Sequence, residues 1–284
     1  MLTNTFCHVP GIGSREEQKL WSSGVHSWEM VGRVAAKMLT RIKASALAKA
    51  IEESFHRLEA NDPNYFSNLL SSSQHWRLFP DFRHRLAFLD IETTGLAYQD
   101  EITTIAIYDG RAIRHYVNGV NLEEFKRDIM DYSLIVTYNG KCFDAPFIEK
   151  FFRIRLDHAH IDLRYILKDL GYTGGLKACE RRLGIDRSEL ADVDGYFAVL
   201  LWQDYKKNKN AKSLETLLAY NIEDVLNLET LLVKAYNMNV KETPFSQSRR
   251  LELPRRIAPP FEADRETIQR IRREHPWLSR AHRY

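Results

Sequence analysis

The chain has 284 residues, of which 44% are hydrophobic and 28% charged, and its formal net charge is +3. This composition is ordinary for a soluble globular protein with a sizeable core. A membrane-spanning class is excluded, because no apolar run approaches the roughly 20 residues that cross a bilayer. The small net charge does not by itself indicate a nucleic-acid partner, since a basic C-terminal tail offsets a local cluster of acids.

Cysteine usage predicts a reducing environment. The three cysteines, Cys7, Cys142 and Cys179, are far apart and none belongs to a C-x-x-C pair. This spacing argues against a disulfide framework, a disulfide-linked partner and a zinc site. The N-terminus also lacks the basic and apolar regions of a signal peptide. We therefore expect a cytoplasmic protein with no membrane association, and the oligomeric state stays open.

Residues 1–80 predict a separate helical region. The segment Val9–Gly13, followed by Leu20, Gly24 and Trp28, resembles a helix-hairpin-helix element. Such elements bind the phosphate backbone through amide groups at a helix N-terminus. A helical hairpin that only packs on the next domain explains the same pattern equally well.

A longer amphipathic helix is predicted over residues 39–60, from apolar residues at three- to five-residue spacing. It should end before Asn61-Asp62-Pro63, because a proline disfavours helix at the preceding residue. A short helix with Tyr65 and Leu69 follows, and Ser71-Ser72-Ser73 has the composition of a linker.

From residue 86 the pattern changes to strands, which indicates a second domain over residues 81–240. The predicted strands are Leu86–Glu92, Ile102–Tyr108, Ala112–Val117, Leu134–Tyr138 and Ala159–Ile161. The predicted helices are Leu122–Met130, Phe143–Arg153, Leu163–Leu170, Leu176–Leu183, Tyr196–Asn208 and Ser213–Tyr236. This order predicts an α/β fold with a mixed sheet flanked by helices, whose chemistry lies at strand ends.

Residues 241–284 form a basic tail with a short helix predicted over Asp264–Arg273. Its arginines are suited to phosphate contacts, although a solvated tail draped over the body explains them somewhat better.

Three acidic blocks stand out in the second domain. Asp90 and Glu92 are two apart on a strand and leave the same face, where a divalent cation would relieve their repulsion. Asp144 begins a helix after a buried strand, and Tyr220 and Asp224 share one face of a late helix. Taken singly, each has a plain explanation: solvated acids, a helix N-cap, and a half-buried tyrosine.

Jointly, the blocks resemble the three motifs of the DEDD superfamily of proofreading-type 3′–5′ exonucleases. The Y-x-x-x-D spacing marks the tyrosine subclass (DEDDy), since Glu223 occupies the position where the other subclass has histidine. Further segments are similar to the YprB-type ribonuclease H-like branch. These segments are Trp76–Pro80, Gly175–Glu180 and Ser213–Glu215.

The resemblance implies a ribonuclease H-like fold and two Mg²⁺ or Mn²⁺ ions held by four carboxylates. These metal ligands would be Asp90, Glu92, Asp144 and Asp224. Tyr220 would orient the attacking water, because its ordinary pKa near 10 makes it a poor general base at neutral pH.

Substrate contacts follow from the same resemblance. The turn formed by Thr93, Thr94, Gly95 and Leu96 would meet the terminal nucleotide through backbone amides and an apolar wedge. Asn139 and Phe143 would contact sugar or base. A simple turn, in which Gly95 supplies an unusual backbone conformation, is the alternative for the first segment.

The leading functional hypothesis is hydrolysis of single-stranded DNA or RNA from 3′ ends. A ribonuclease H- or resolvase-style endonuclease on the same fold is the first alternative. A catalytically silent nucleic-acid-binding module is the second, and the presence of all four carboxylates argues against it.

Overall fold

A five-stranded mixed sheet, in the order β3-β2-β1-β4-β5, carries the rest of the fold. The computed structural model describes residues 1–31, 41–97, 99–187, 190 and 193–277, without the side chains of 41–43. The strands are β1 (Leu86–Thr93), β2 (Ile102–Tyr108), β3 (Ile113–Val117), β4 (Leu134–Thr137) and β5 (Ala159–Asp162). This sheet and its flanking helices confirm the predicted α/β class.

Strand direction explains where a site can form. β2 is antiparallel to both β1 and β3, whereas β4 is parallel to both β1 and β5. The carboxyl ends of β1, β4 and β5 therefore lie along one edge of the sheet.

In the described part of the chain the predicted helices keep their order, and one short helix that was not predicted, Phe79–Phe82, precedes the first strand. They are α1 (Ser14–Ser22), α2 (Arg41–Glu59), α3 (Pro63–Leu69), α4 (Phe79–Phe82), α5 (Phe125–Asp128), α6 (Asp144–Phe152), α7 (Leu163–Asp169), α8 (Leu176–Arg182), α9 (Gly195–Asn208), α10 (Ala211–Lys241) and α11 (Arg265–Glu274). Residue 39, where the predicted second helix begins, lies outside the described residues.

Two of the predicted segments are wrong in detail. The helix predicted over Leu122–Met130 is a single turn, α5, between two 3₁₀ segments. The serine-rich linker is instead the start of a 3₁₀ helix, Ser72–Leu78, whose Trp76 and Leu78 are buried. In both places apolar side chains reach the core from a tighter helix than the α-period assumes.

The alternation of side chains along β1 divides the core. Phe88 belongs to the hydrophobic cluster that contains Ile222 and Val225 of α10. Leu89 points to the other face and belongs to a second hydrophobic cluster, which contains Ile148 of α6. Since side chains two apart leave the same face, the acids that follow Phe88 are directed toward α10.

The N-terminal helices share that first cluster with the sheet. Trp28 and Phe66 are buried in it, and their rings are stacked with centroids 6.0 Å apart. The Glu17 carboxylate of α1 accepts a hydrogen bond from the Phe6 N–H at 2.6 Å. It also forms an ion pair with the buried Arg77 at 2.7 Å. Packing therefore explains the apolar face of the predicted hairpin, and its phosphate binding stays a prediction.

The C-terminal tail also packs on the body. Arg256 forms an ion pair with Glu223 of α10. In α11, Ile268 is buried, and the Arg270 guanidinium donates a hydrogen bond to the Asp204 carboxylate of α9 at 2.6 Å. Among the described residues no helix is both long and apolar enough to cross a bilayer.

Candidate active site

Three carboxylates converge between β1 and α10. Asp90 and Glu92 come from the end of β1, and Asp224 comes from the middle of α10. One oxygen from each lies within 4.8 Å of one from each of the others. Glu92 and Asp224 are buried, while Asp90 is half-buried. The two-residue period of the strand thus brings both strand acids to the helix that supplies the third.

Asp144 lies next to this group without belonging to the trio. It is the first residue of α6, whose N-cap is Phe143, and its side chain is buried. Its Oδ1 accepts the backbone N–H of Ile91 at 3.3 Å. The fourth predicted ligand is therefore held against the strand residue between Asp90 and Glu92.

Burial and mutual repulsion make these acids hard to ionise. Burial and the nearby Asp224 and Asp144 carboxylates raise the pKa of both Asp90 and Glu92 well above the ordinary range. Burial likewise raises the pKa of Asp144 to about 7 and that of Asp224 to about 6. Close cations would favour the charged forms, and an all-oxygen donor set suits Mg²⁺ or Mn²⁺.

Asn221 orients Asp90 and was missed by the sequence analysis. Its Nδ2 donates to Asp90 Oδ2 at 2.6 Å, and its Oδ1 accepts from Thr104 Oγ1 on β2 at 3.1 Å. The signal was present, because Asn221 directly follows Tyr220 in the third motif. A polar residue fully buried on a helix facing a sheet needs such partners.

Arg187 is a second missed residue. Its guanidinium donates through Nη1 to Asp224 and through Nε and Nη2 to Glu180 of α8, the latter at 2.7 Å. Glu180 is fully buried and also accepts from Asn227 Nδ2 at 3.0 Å. Arg187 thus compensates part of the negative charge and fixes one oxygen of Asp224. Nothing in its local sequence indicates this partner.

Lys177 supplies a further positive charge. Its Nζ lies 4.9 Å from the centre of the Tyr220 ring, and this buried nitrogen has no hydrogen-bond partner among the described residues. Burial lowers its pKa to about 8, and the neighbouring Arg187 acts in the same direction. In the sequence, Lys177 was noted only as part of the Gly175–Glu180 segment, which is similar to the YprB-type branch.

Tyr220 is buried beside the trio, one helical turn before Asp224. Burial and the Asp224 carboxylate raise its pKa well above 10. The phenol is therefore protonated at neutral pH, which suits an orienting role and argues against a general base.

The turn after β1 is held by its own side chains. Thr93 Oγ1 donates to the Gly95 carbonyl at 2.7 Å, and Thr94 Oγ1 donates to Asp100 at 3.0 Å. Gly95 has no positive φ, so the expectation that it supplies an unusual backbone conformation is wrong. A Cβ there would lie 2.6 Å from Asp100 Oδ2, so the glycine permits close approach of that carboxylate. Leu96 is 86% exposed.

The two remaining predicted substrate residues flank the second motif. Asn139 has φ +66°, which asparagine tolerates, and its N–H donates to Asp162 Oδ1 at 2.7 Å. The Phe143 ring packs on the Phe147 ring, with 5.7 Å between their centroids, and Phe143 is only partly buried. Asp162 is the N-cap of α7, and its side chain accepts the Arg164 N–H.

Comparison with known proteins places this geometry in a family. The RNase_H superfamily matches residues 87–236, just over half of the chain. The uncharacterized protein YprB of Bacillus subtilis (strain 168) is 30% identical over 174 residues, which are 53% of this chain and 42% of that protein. The alignment thus covers less than half of the relative.

Among solved structures, the family B DNA polymerase of the archaeon Pyrobaculum calidifontis superposes with a TM-score of 0.42 and 18% identity. The superposition covers 59% of this chain and 27% of the polymerase. The extent of the family match, which contains the strand acids together with Tyr220 and Asp224, supports one conclusion: the chain belongs to the RNase H superfamily.

Proposed function

We propose that the protein is a metal-dependent nuclease that removes nucleotides from 3′ ends of single-stranded DNA or RNA. The convergence of Asp90, Glu92 and Asp224 within 4.8 Å is the observation that carries this proposal. Family membership supports cleavage of nucleic acid, and the position of Tyr220 beside Asp224 supports the exonuclease class.

The acids and their neighbours have separate roles in this proposal. Asp90, Glu92 and Asp224, with Asp144 beside them, would hold two divalent ions. Such ions, when bound, stabilise charge on the attacking and leaving oxygens and lower the pKa of water. Asn221 and Arg187 keep two of these carboxylates in place, and Tyr220 orients the attacking water.

The turn after β1 supports cleavage at the end of a nucleic-acid strand. Its backbone is fixed by Thr93, Thr94 and Asp100, so its exposed groups are preorganised. Leu96 offers an apolar surface at the tip, suited to a terminal base. An unpaired end would fit such a turn more readily than the middle of a duplex.

The direct test is digestion of oligonucleotides with Mg²⁺, Mn²⁺ or EDTA. Single-stranded DNA and RNA, labelled at the 5′ end, should give a ladder that shortens from the 3′ end and disappears in EDTA. A 3′-terminal phosphorothioate linkage should delay the ladder. Cleavage of a circular strand would instead establish an endonuclease, and no metal-dependent cleavage of either polymer would reject the proposal.

Tyr220→Phe should lower the single-turnover cleavage rate about 10- to 100-fold while changing oligonucleotide affinity less than about twofold, because only the orienting hydroxyl is lost. Single-turnover cleavage and fluorescence anisotropy measure the two quantities. The conservative change keeps the ring against Lys177. An unchanged single-turnover rate would remove the hydroxyl from the reaction.

A further inference from the structure

A cleft of about 630 Å³ opens beside the second motif. Its lining includes Tyr138, Asn139, Arg164, Lys168 and Tyr172. Its volume lies within the range of small-ligand sites, and its walls carry two tyrosines and two basic side chains. None of these groups except Asn139 belongs to the machinery described above.

The cleft walls are preorganised. The buried carboxylate of Asp162 accepts the backbone N–H groups of Asn139, Lys141 and Arg164 at 2.7, 3.1 and 3.0 Å. The Arg164 guanidinium also donates to the side-chain oxygen of Asn139. A fixed arrangement of this kind lowers the cost of ordering groups around a ligand.

Aromatic rings and positive charge lie together in the cleft. The Tyr138 hydroxyl donates to the Gly174 carbonyl at 2.5 Å, and this bond holds the ring at the cleft wall. The Arg182 guanidinium lies 4.6 Å from the centre of the Tyr172 ring. Arg164 and Lys168 are exposed. Stacking rings beside cations are the usual means of holding a single strand without reading its sequence.

The cleft adjoins the active site through α8. Leu176 lines the cleft, and the next residue, Lys177, reaches the Tyr220 ring. The cleft and the carboxylate site therefore share α8, and a single strand that contacts both would run past this helix.

We propose that this cleft is a second nucleotide site, which holds one nucleotide of the single strand away from the scissile bond. The base stacks on Tyr172 or Tyr138, and the phosphate meets Arg164 and Lys168. The substrate class rests on the proposed function, whereas the binding measurement below does not need catalysis.

The test separates binding from cleavage. Anisotropy of fluorescein-labelled single-stranded 12-mers of DNA and RNA in EDTA gives a Kd without turnover. Hydrolysis of the 4-nitrophenyl ester of thymidine 5′-phosphate in Mn²⁺ reports the metal site alone, because that substrate carries one nucleotide and cannot reach the cleft as well.

Lys168→Glu should raise the Kd about 10-fold, and Tyr172→Ala about 5- to 30-fold, with ester hydrolysis within about twofold of wild type. Tyr172→Phe should bind as wild type does. Because Tyr172 also touches the core, Lys168→Glu at an exposed position keeps the test valid if Tyr172→Ala fails to fold. Arg111→Glu, in the β2–β3 turn at the opposite edge of the sheet, is the matched control.

Two outcomes would overturn the inference: no 12-mer binding by wild type, or a Kd that Lys168→Glu changes no more than Arg111→Glu does. If the variants weaken binding but no substrate is cleaved, the nuclease proposal fails and the cleft assignment stands.

Discussion

Asp90→Asn should lower metal-dependent cleavage by about 10³-fold or more, equivalent to ~4 kcal/mol of transition-state stabilisation. Asp90 contributes an oxygen to the trio of carboxylates that would hold the ions. Asparagine keeps the shape and can still accept the Asn221 hydrogen bond, so the loss reports the charge. Single-turnover digestion in Mn²⁺ measures it.

The same substitution should raise stability in EDTA by about 1 kcal/mol. Burial and the neighbouring Asp224 and Asp144 carboxylates oppose ionisation of Asp90, so removing its charge relieves repulsion in the folded state. Urea unfolding in EDTA measures this change. Opposite signs for activity and stability are the signature of an acid retained for function.

Glu101→Gln is the matched control for both measurements, because Glu101 is an exposed acid just beyond the same turn. Its cleavage rate and urea midpoint should stay near those of wild type. Equal losses of activity in the two variants would show that general negative charge, and not the trio, supports cleavage.

The sheet and the strand acids were predictable because their signal is local. Alternating side chains and β-branched runs identify β1 and β2, and the spacing of Asp90 and Glu92 assigns both to one face. The bounds of β2 agree with the prediction at both ends. The Tyr220–Asp224 spacing similarly needs only the helical period.

The rest depends on contacts between distant segments. Arg187 meets Asp224 and Glu180 only because a loop and two helices pack together, and no local pattern encodes that meeting. The segment Leu122–Met130 is helical as predicted but mostly of the 3₁₀ type, because its apolar spacing fits a 3₁₀ path onto the sheet as well as an α-helix. The cleft combines side chains from four segments, so its volume could not be foreseen.

Arg187→Met should lower the free energy of unfolding in EDTA by about 3–5 kcal/mol, the usual cost of breaking a buried ion pair from one side. The Arg187 side chain is only 4% exposed, and methionine leaves the carboxylates of Glu180 and Asp224 without their cation. Urea unfolding followed by circular dichroism gives the value. Arg181→Met, at an exposed position of α8, should stay within about 0.5 kcal/mol of wild type.

Two further measurements connect this loss of stability to the carboxylate site. Adding Glu180→Gln to Arg187→Met should recover part of the stability, because one of the two uncompensated charges is then gone. Saturating Mn²⁺ should stabilise Arg187→Met more than it stabilises wild type, since an ion at the trio replaces the positive charge facing Asp224. An unchanged urea midpoint in Arg187→Met would contradict the buried pairing itself. A Mn²⁺ response no larger than that of wild type would instead separate Arg187 from the metal site and leave it a structural partner of Glu180.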